Sequence, residues 1–125
     1  MQGKLFCEHR TINDLNSELV GMLKILEERL KQTFGVNFEL TINCGVRCPE
    51  CNKAVGGASH SKHLSVMEGD IADAVDIHCE DSFLRYMILK SAVLLNFTGI
   101  EWGTPTWIHL DIGRDKPCCF LPNPK

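Results

Sequence analysis

Two histidines and an aspartate are the residues of this chain best suited to chemistry. They are His63 in Ser61-Lys62-His63, Asp76 in Ala74-Val75-Asp76-Ile77, and His109 in Trp107-Ile108-His109-Leu110-Asp111. Imidazole nitrogens and carboxylate oxygens are ordinary zinc ligands, and three protein ligands leave the fourth tetrahedral position open. That opening separates catalytic from structural zinc, since the ion then lowers the pKa of water to roughly 7 and polarises a carbonyl. A lone histidine says little; the combination says more. His63 follows a Gly/Ser loop, whereas His109 sits in an alternating strand. There Trp107, His109 and Asp111 share one face while Ile108 and Leu110 take the other. A sheet that lines a cleft needs such a polar face.

The elements that must position these side chains are legible from periodicity. Leu15, Leu19, Met22, Leu23, Leu26 and Leu30 recur at three- and four-residue spacing, predicting a helix from about Asn16 to Phe34. Asn13 or Asn16 can cap its start, and Gly35 follows its end as a left-handed C-terminal residue. Phe38, Leu40 and Ile42 alternate with polar neighbours and predict a strand with one buried face. From Asn43 to Ser65 the chain reads as a long loop with one helical turn; so long a loop is usually functional or disordered, and its delivery of His63 favours function. Ala72 to Cys79 predicts a second strand, and Ser82 to Asn96 a second helix. Asp81 or Ser82 would cap that helix, and Leu84, Met87, Ile88, Leu94 and Leu95 would form its apolar side. Short strands around Ile100 and from Thr106 to Ile112 follow, before a tail whose Pro117, Pro122 and Pro124 oppose regular structure. The order predicts an α+β fold: a small, mostly antiparallel sheet with two main helices.

A length of 125 residues suits one domain, 1–125, with one core. With 44% hydrophobic and 23% charged residues, the composition is that of an ordinary globular protein. A net charge of -3 without a clustered Lys/Arg face argues against a nucleic-acid partner. No apolar run approaches the roughly 18 residues that span a bilayer. Met1 to Phe6 lacks the apolar core of a secretory signal, so synthesis in the cytoplasm is expected. Seven cysteines, an odd number, cannot all pair within one chain, and reduced thiols are expected.

Several blocks resemble the zinc D-alanyl-D-alanine carboxypeptidases, a group that includes phage peptidoglycan endopeptidases and shares its fold with the hedgehog signalling domain. They are Gly45-Val46-Arg47-Cys48, Asn52, Val55-Gly56-Gly57, Ser61, His63, Ala74-Val75-Asp76-Ile77 and Trp107-Ile108-His109-Leu110-Asp111. Cys79-Glu80-Asp81-Ser82, Arg85-Tyr86, Phe97, Gly99-Ile100 and Lys116-Pro117 are similar to small phage and prophage members. The resemblance implies a hedgehog-like fold and a zinc cofactor held by His63, Asp76 and His109. It also implies peptidoglycan peptides as the partner, with release to the cell wall by a phage or prophage. A monomer is expected. Spacing within the family would choose Asp70, seven positions after His63, but the Ala-Val-Asp-Ile block chooses Asp76. Asp70 and Asp73 then read as solvated loop carboxylates.

Related enzymes carry an acidic residue shortly before the last histidine to move the proton of the attacking water. Position 106 is Thr here, so the nearest upstream candidate is Glu101, with Asp111 as an alternative that could instead orient a ligand. Arg47 can grip a substrate carboxylate with two parallel hydrogen bonds, or pair with Glu39 or Glu50 at the surface. Ser61 matches a position that shapes the metal loop or meets substrate, while His60 and His78 are taken as non-ligands. Two other readings stand beside the peptidase. Cys44, Cys48 and Cys51, with Cys7 or Cys79, could form a closed structural zinc site, alone or alongside the catalytic one. A hedgehog-like module could also bind without catalysing.

Overall fold

Leu19, Leu23, Leu26 and Leu30 lie on one stripe of a helix and are all fully buried, which makes that helix the spine of the core. The computed structural model describes residues 1–67 and 69–121. In chain order its elements are β1 (Gln2–Gly3), α1 (Ser17–Phe34), β2 (Thr41–Cys44), α2 (Pro49–Ala54), β3 (Ala74–His78), α3 (Ser82–Leu94), β4 (Gly99–Glu101), β5 (Trp107–Asp111) and β6 (Cys118–Phe120). The Asn16 side chain caps α1 by accepting the Glu18 N–H at 2.9 Å, and Gly35 ends it at φ 102°. Asp81 caps α3 through the Leu84 N–H at 2.7 Å.

The six strands form one mixed, mostly antiparallel sheet in the order β1-β2-β3-β5-β4-β6. Parallel pairing is confined to the two edges, β1 with β2 and β4 with β6. The α+β prediction therefore holds, with additions. The expected long loop contains α2, whose start is signalled by Cys48 as cap and Pro49 in the first turn. The tail, expected to be irregular, adds β6. Neither edge strand has a local pattern of its own; each exists because a neighbour offers unpaired backbone groups. The strand predicted from Phe38 begins at Thr41, because Phe38 turns aside to pack on Phe34, ring centroids 5.4 Å apart. Leu40 is buried, and its N–H donates to the buried Glu27 carboxylate of α1 at 2.9 Å. On α3 the apolar side is Ile88 and Ala92, fully buried, with the predicted Leu84, Met87 and Leu95 packed partly buried against the core, whereas Leu94, also assigned to it from the sequence, is exposed. Among the described residues no helix is long and apolar enough to cross a membrane.

The sheet has two chemically distinct faces because strand side chains alternate. Val75 pairs with Leu110 and Ile77 with Ile108 on the face that joins the core beneath the helices. The intervening pair, Asp76 opposite His109, points the other way, and Glu101 of β4 lies directly across from His109. A register shift between Ile42 and Cys44 brings Cys44 opposite Asp76. Arg85 on α3 locks the loops at one end of the sheet, donating to the carbonyls of Trp102 at 2.7 Å and Cys79 at 3.0 Å.

Candidate metal centre

Asp76 and His109 reach one point from adjacent strands, and His63 reaches it from the loop before β3. His63 Nε2 lies 3.1 Å from Asp76 Oδ1 and 3.2 Å from His109 Nδ1. His109 Nδ1 is 3.1 Å from the same Asp76 oxygen. The far nitrogen of each ring reveals the tautomer. His63 Nδ1 is 2.8 Å from the Gly45 carbonyl, which can only accept, so this nitrogen carries a hydrogen. His109 Nε2 likewise donates to Asp111 Oδ2 at 2.8 Å. Neutral imidazoles held this way aim bare lone pairs from Nε2 of His63 and Nδ1 of His109 at the Asp76 oxygen.

Three converging lone pairs repel one another unless a cation lies between them. For ligands about 2.0 Å from zinc, a tetrahedron has edges of about 3.3 Å, close to the three separations found. The donor set therefore fits a zinc ion. In the metal-free protein a proton does this work. Burial opposes charging His63, but the hydrogen bonds and charges of Asp76 and Cys44 together outweigh it and lift the imidazole to about 9. Burial would raise Asp76, yet the two histidines bring it down to about 2.

Behind this set the support is well ordered. Asp111 is completely buried and is gripped by Arg114 through two hydrogen bonds, Nε to Oδ1 at 2.8 Å and an NH2 group to Oδ2 at 2.7 Å. It thus meets the far side of His109 and does not line the cleft, as expected of a carboxylate that orients a ligand. Residue 99 has to be glycine, since a Cβ there would collide with the Asp111 carboxylate. Asp111→Asn is expected to weaken zinc binding by about 10–100-fold, read by competition with a chromogenic chelator.

The His63, Asp76 and His109 group opens into a cleft of about 560 Å³ that Arg47, Ser61, Glu101 and Arg114 also line. Burial raises the Glu101 carboxyl above its ordinary range. Arg47 donates to Ser61 Oγ at 3.2 Å, while its Nε is buried without a partner. Among the described residues Arg47 makes no ion pair with Glu39 or Glu50. A larger hollow of about 650 Å³ runs beside α1, but its lining offers no convergent donor set.

The remaining candidates fall elsewhere. Asp70 accepts the Met67 N–H at 3.0 Å within its own turn and takes no part in the site. Neither it nor Asp73 is a solvated loop carboxylate: both are half-buried, and Asp73 accepts from Asn16 Nδ2 at 3.0 Å and so ties the loop to α1. His78 pairs with Glu80 at 3.2 Å, and His60 stands at the cleft rim. The cysteine grouping differs from expectation. Cys44 sits beside the histidines, its Sγ within 4.8 Å of the His63 and Asp76 ligand atoms. Cys79 is buried and donates to the Asp81 carbonyl. Cys48 and Cys51 instead meet Cys7 and His9.

Three residues with candidate roles, two at this site and one outside it, escape sequence reasoning. Arg114 would follow from an i, i+3 pairing with Asp111, had Asp111 been known to be buried. Phe120 packs on His109, centroids 5.8 Å apart, and beneath the Arg114 guanidinium at 5.1 Å. It belongs to an edge strand with no local signal. His9 could have been found from its Cys-x-His spacing with Cys7.

A search of curated proteins finds no match to this chain. A family model described as Peptidase M15 matches residues 4–111, a span that holds all three converging side chains, Glu101 and Arg47. The chain belongs to the peptidase M15 family.

Proposed function

We propose that this protein is a zinc-dependent peptidase acting on peptidoglycan stem peptides or cross-links, with His63, Asp76 and His109 as the metal ligands. One observation carries the reading: three lone pairs from separate elements aim at a single point on the floor of an open cleft. Membership of a metallopeptidase family supports it. When bound, zinc supplies Lewis acidity, lowering the pKa of water to roughly 7 and polarising the scissile carbonyl.

The protein's own groups do the rest. Asp111 and Arg114 keep the His109 tautomer fixed, and the Gly45 carbonyl does the same for His63. Glu101 takes the proton of the attacking water and returns it to the departing amine, a role suited to a carboxyl raised by burial. Arg47 holds a substrate carboxylate, since stem peptides carry free carboxylates and its side chain lines the cleft beside the three converging groups. Cutting at a free C-terminus would make the protein a carboxypeptidase; cutting inside a cross-link would make it an endolysin-like endopeptidase.

Purified peptidoglycan incubated with the zinc-loaded protein should release free amino groups, and a chelator should stop the release. Mass analysis of the products identifies the bond cut. Arg47→Gln is expected to raise KM about 10-fold or more while changing kcat less, the loss of one charge-assisted contact. No release from any peptidoglycan type, with zinc demonstrably bound, would favour a binding module over an enzyme.

A further inference from the structure

A second group of metal-ligating side chains lies outside the cleft. Cys7 and His9 come from the N-terminal segment, and Cys48 and Cys51 from the start of α2. Four ligand atoms, three sulfurs and one imidazole nitrogen, all fall within 4.8 Å of one another. His9 Nδ1 is 3.5 Å from Cys48 Sγ and 3.6 Å from Cys51 Sγ. A tetrahedral zinc with sulfur at about 2.3 Å and nitrogen at about 2.0 Å separates those ligands by about 3.5 Å. The Cys51 N–H also points at Cys48 Sγ from 3.5 Å, a contact suited to a sulfur carrying negative charge. All three cysteines are free thiols.

We propose that Cys7, His9, Cys48 and Cys51 form a closed, structural zinc site that straps the N-terminal segment across the metal-binding loop of the cleft. Four protein ligands leave no open position, so this ion performs no chemistry. Its place in the fold explains its use. Next to it the Cys7 N–H donates to the Val46 carbonyl at 2.9 Å, and the Val46 N–H donates to Leu5 O at 2.9 Å. Val46 lies between Gly45, whose carbonyl orients His63, and Arg47, whose N–H donates to the His63 carbonyl at 2.7 Å. Just beyond His9, the Arg10 guanidinium donates to both Ser65 Oγ and Ser65 O at 3.0 Å. A segment without helix or regular strand is thereby fixed on both sides of the residues that aim His63. The close approach is built in, since a Cβ on Gly45 would collide with the Leu5 carbonyl. This site stands whether or not the cleft is a peptidase.

The test is metal stoichiometry and cobalt spectroscopy on the full chain. The wild type should bind two zinc ions, of which Asp76→Ala removes one and Cys51→Ser the other. Cobalt loaded into an Asp76→Ala, Cys44→Ser double variant should show intense thiolate-to-cobalt charge-transfer absorption, with the cleft site disabled and its neighbouring thiol gone. His9→Ala should weaken that binding and His9→Cys restore it. A wild type holding a single zinc that Asp76→Ala abolishes would overturn the proposal. So would cobalt in the double variant without thiolate bands, a result that does not depend on how Cys51→Ser folds. Failure of the peptidase reading would appear separately, as two bound metals with no hydrolysis.

Discussion

Asp76→Ala should abolish zinc binding in the cleft and lower kcat/KM on peptidoglycan peptides by about 10³-fold or more. Losing Lewis-acid stabilisation removes several kcal/mol from the transition state, and each 1.36 kcal/mol is about tenfold in rate. Asp76 supplies the oxygen that both imidazoles face, so its loss removes the one ligand atom the two rings share. The variant also has a distinct pH signature. In the metal-free wild type His63 is lifted from its usual 6.5 to about 9, so its pairing stabilises fully below 6.5 and is lost as pH rises through about 9. Asp76 is lowered from 3.8 to about 2, so its contribution is present above 3.8 and is lost as pH falls through about 2. The metal-free melting temperature should therefore fall between pH 6.5 and 9, and the fall should be smaller in Asp76→Ala, where His109 keeps its pairing with Asp111. Zinc reverses the trend, because it needs His63 without its proton and binds more tightly as pH rises. Thermal melts with and without a chelator check both slopes. A metal-free wild type whose melting temperature stays flat over that range would contradict the pairing of these side chains.

Much of this site is legible in the sequence because sheet alternation is a local property. Once Ile108 and Leu110 are assigned to the core, His109 and Asp111 must face away from it, and the same holds for Asp76 between Val75 and Ile77. The distance along the chain from His63 is misleading, because the loop before β3 forms a tight turn of its own. Ser65 Oγ lies 3.0 Å from the Met67 carbonyl oxygen and 2.9 Å from that of Asp70, so its one hydrogen serves this turn, and Asp70 faces it. What stays hidden is non-local. Gln2–Gly3 and Cys118–Phe120 are too short to show a period, and they become strands only because β2 and β4 present open edges. Phe120 reaches His109, and His9 reaches the Cys48–Cys51 pair, through tertiary placement that no window of neighbouring residues encodes. The cysteine grouping fails for the same reason. Cys44 lies only four positions before Cys48 but belongs to a strand that points it at Asp76, whereas Cys7 is carried to α2 by the bridge between Phe6 and Val46.

Glu101→Gln should lower kcat by about 10²–10⁴-fold, the usual span for removing a general base, while leaving zinc content and KM near wild type. Glutamine preserves the shape of the side chain but cannot accept a proton. Glu101 stands across from His109 on the neighbouring strand and lines the same cleft as His63, Asp76 and His109. Burial raises its pKa above 4.5, against which the nearby His109 pulls it back and Asp76 pushes it further. Since the ionised form does the work, activity should fall on the acid side as Glu101 gains a proton, at a pH above that of a free glutamate. That limb should vanish in the Gln variant and survive, with reduced kcat, in Glu101→Asp. Unchanged turnover in Glu101→Gln would take the proton-transfer role away from this residue and turn attention to His60 at the cleft rim. An intact acidic limb in the Gln variant would have the same consequence, because among the described residues no other carboxyl lining the cleft has a pKa raised by burial.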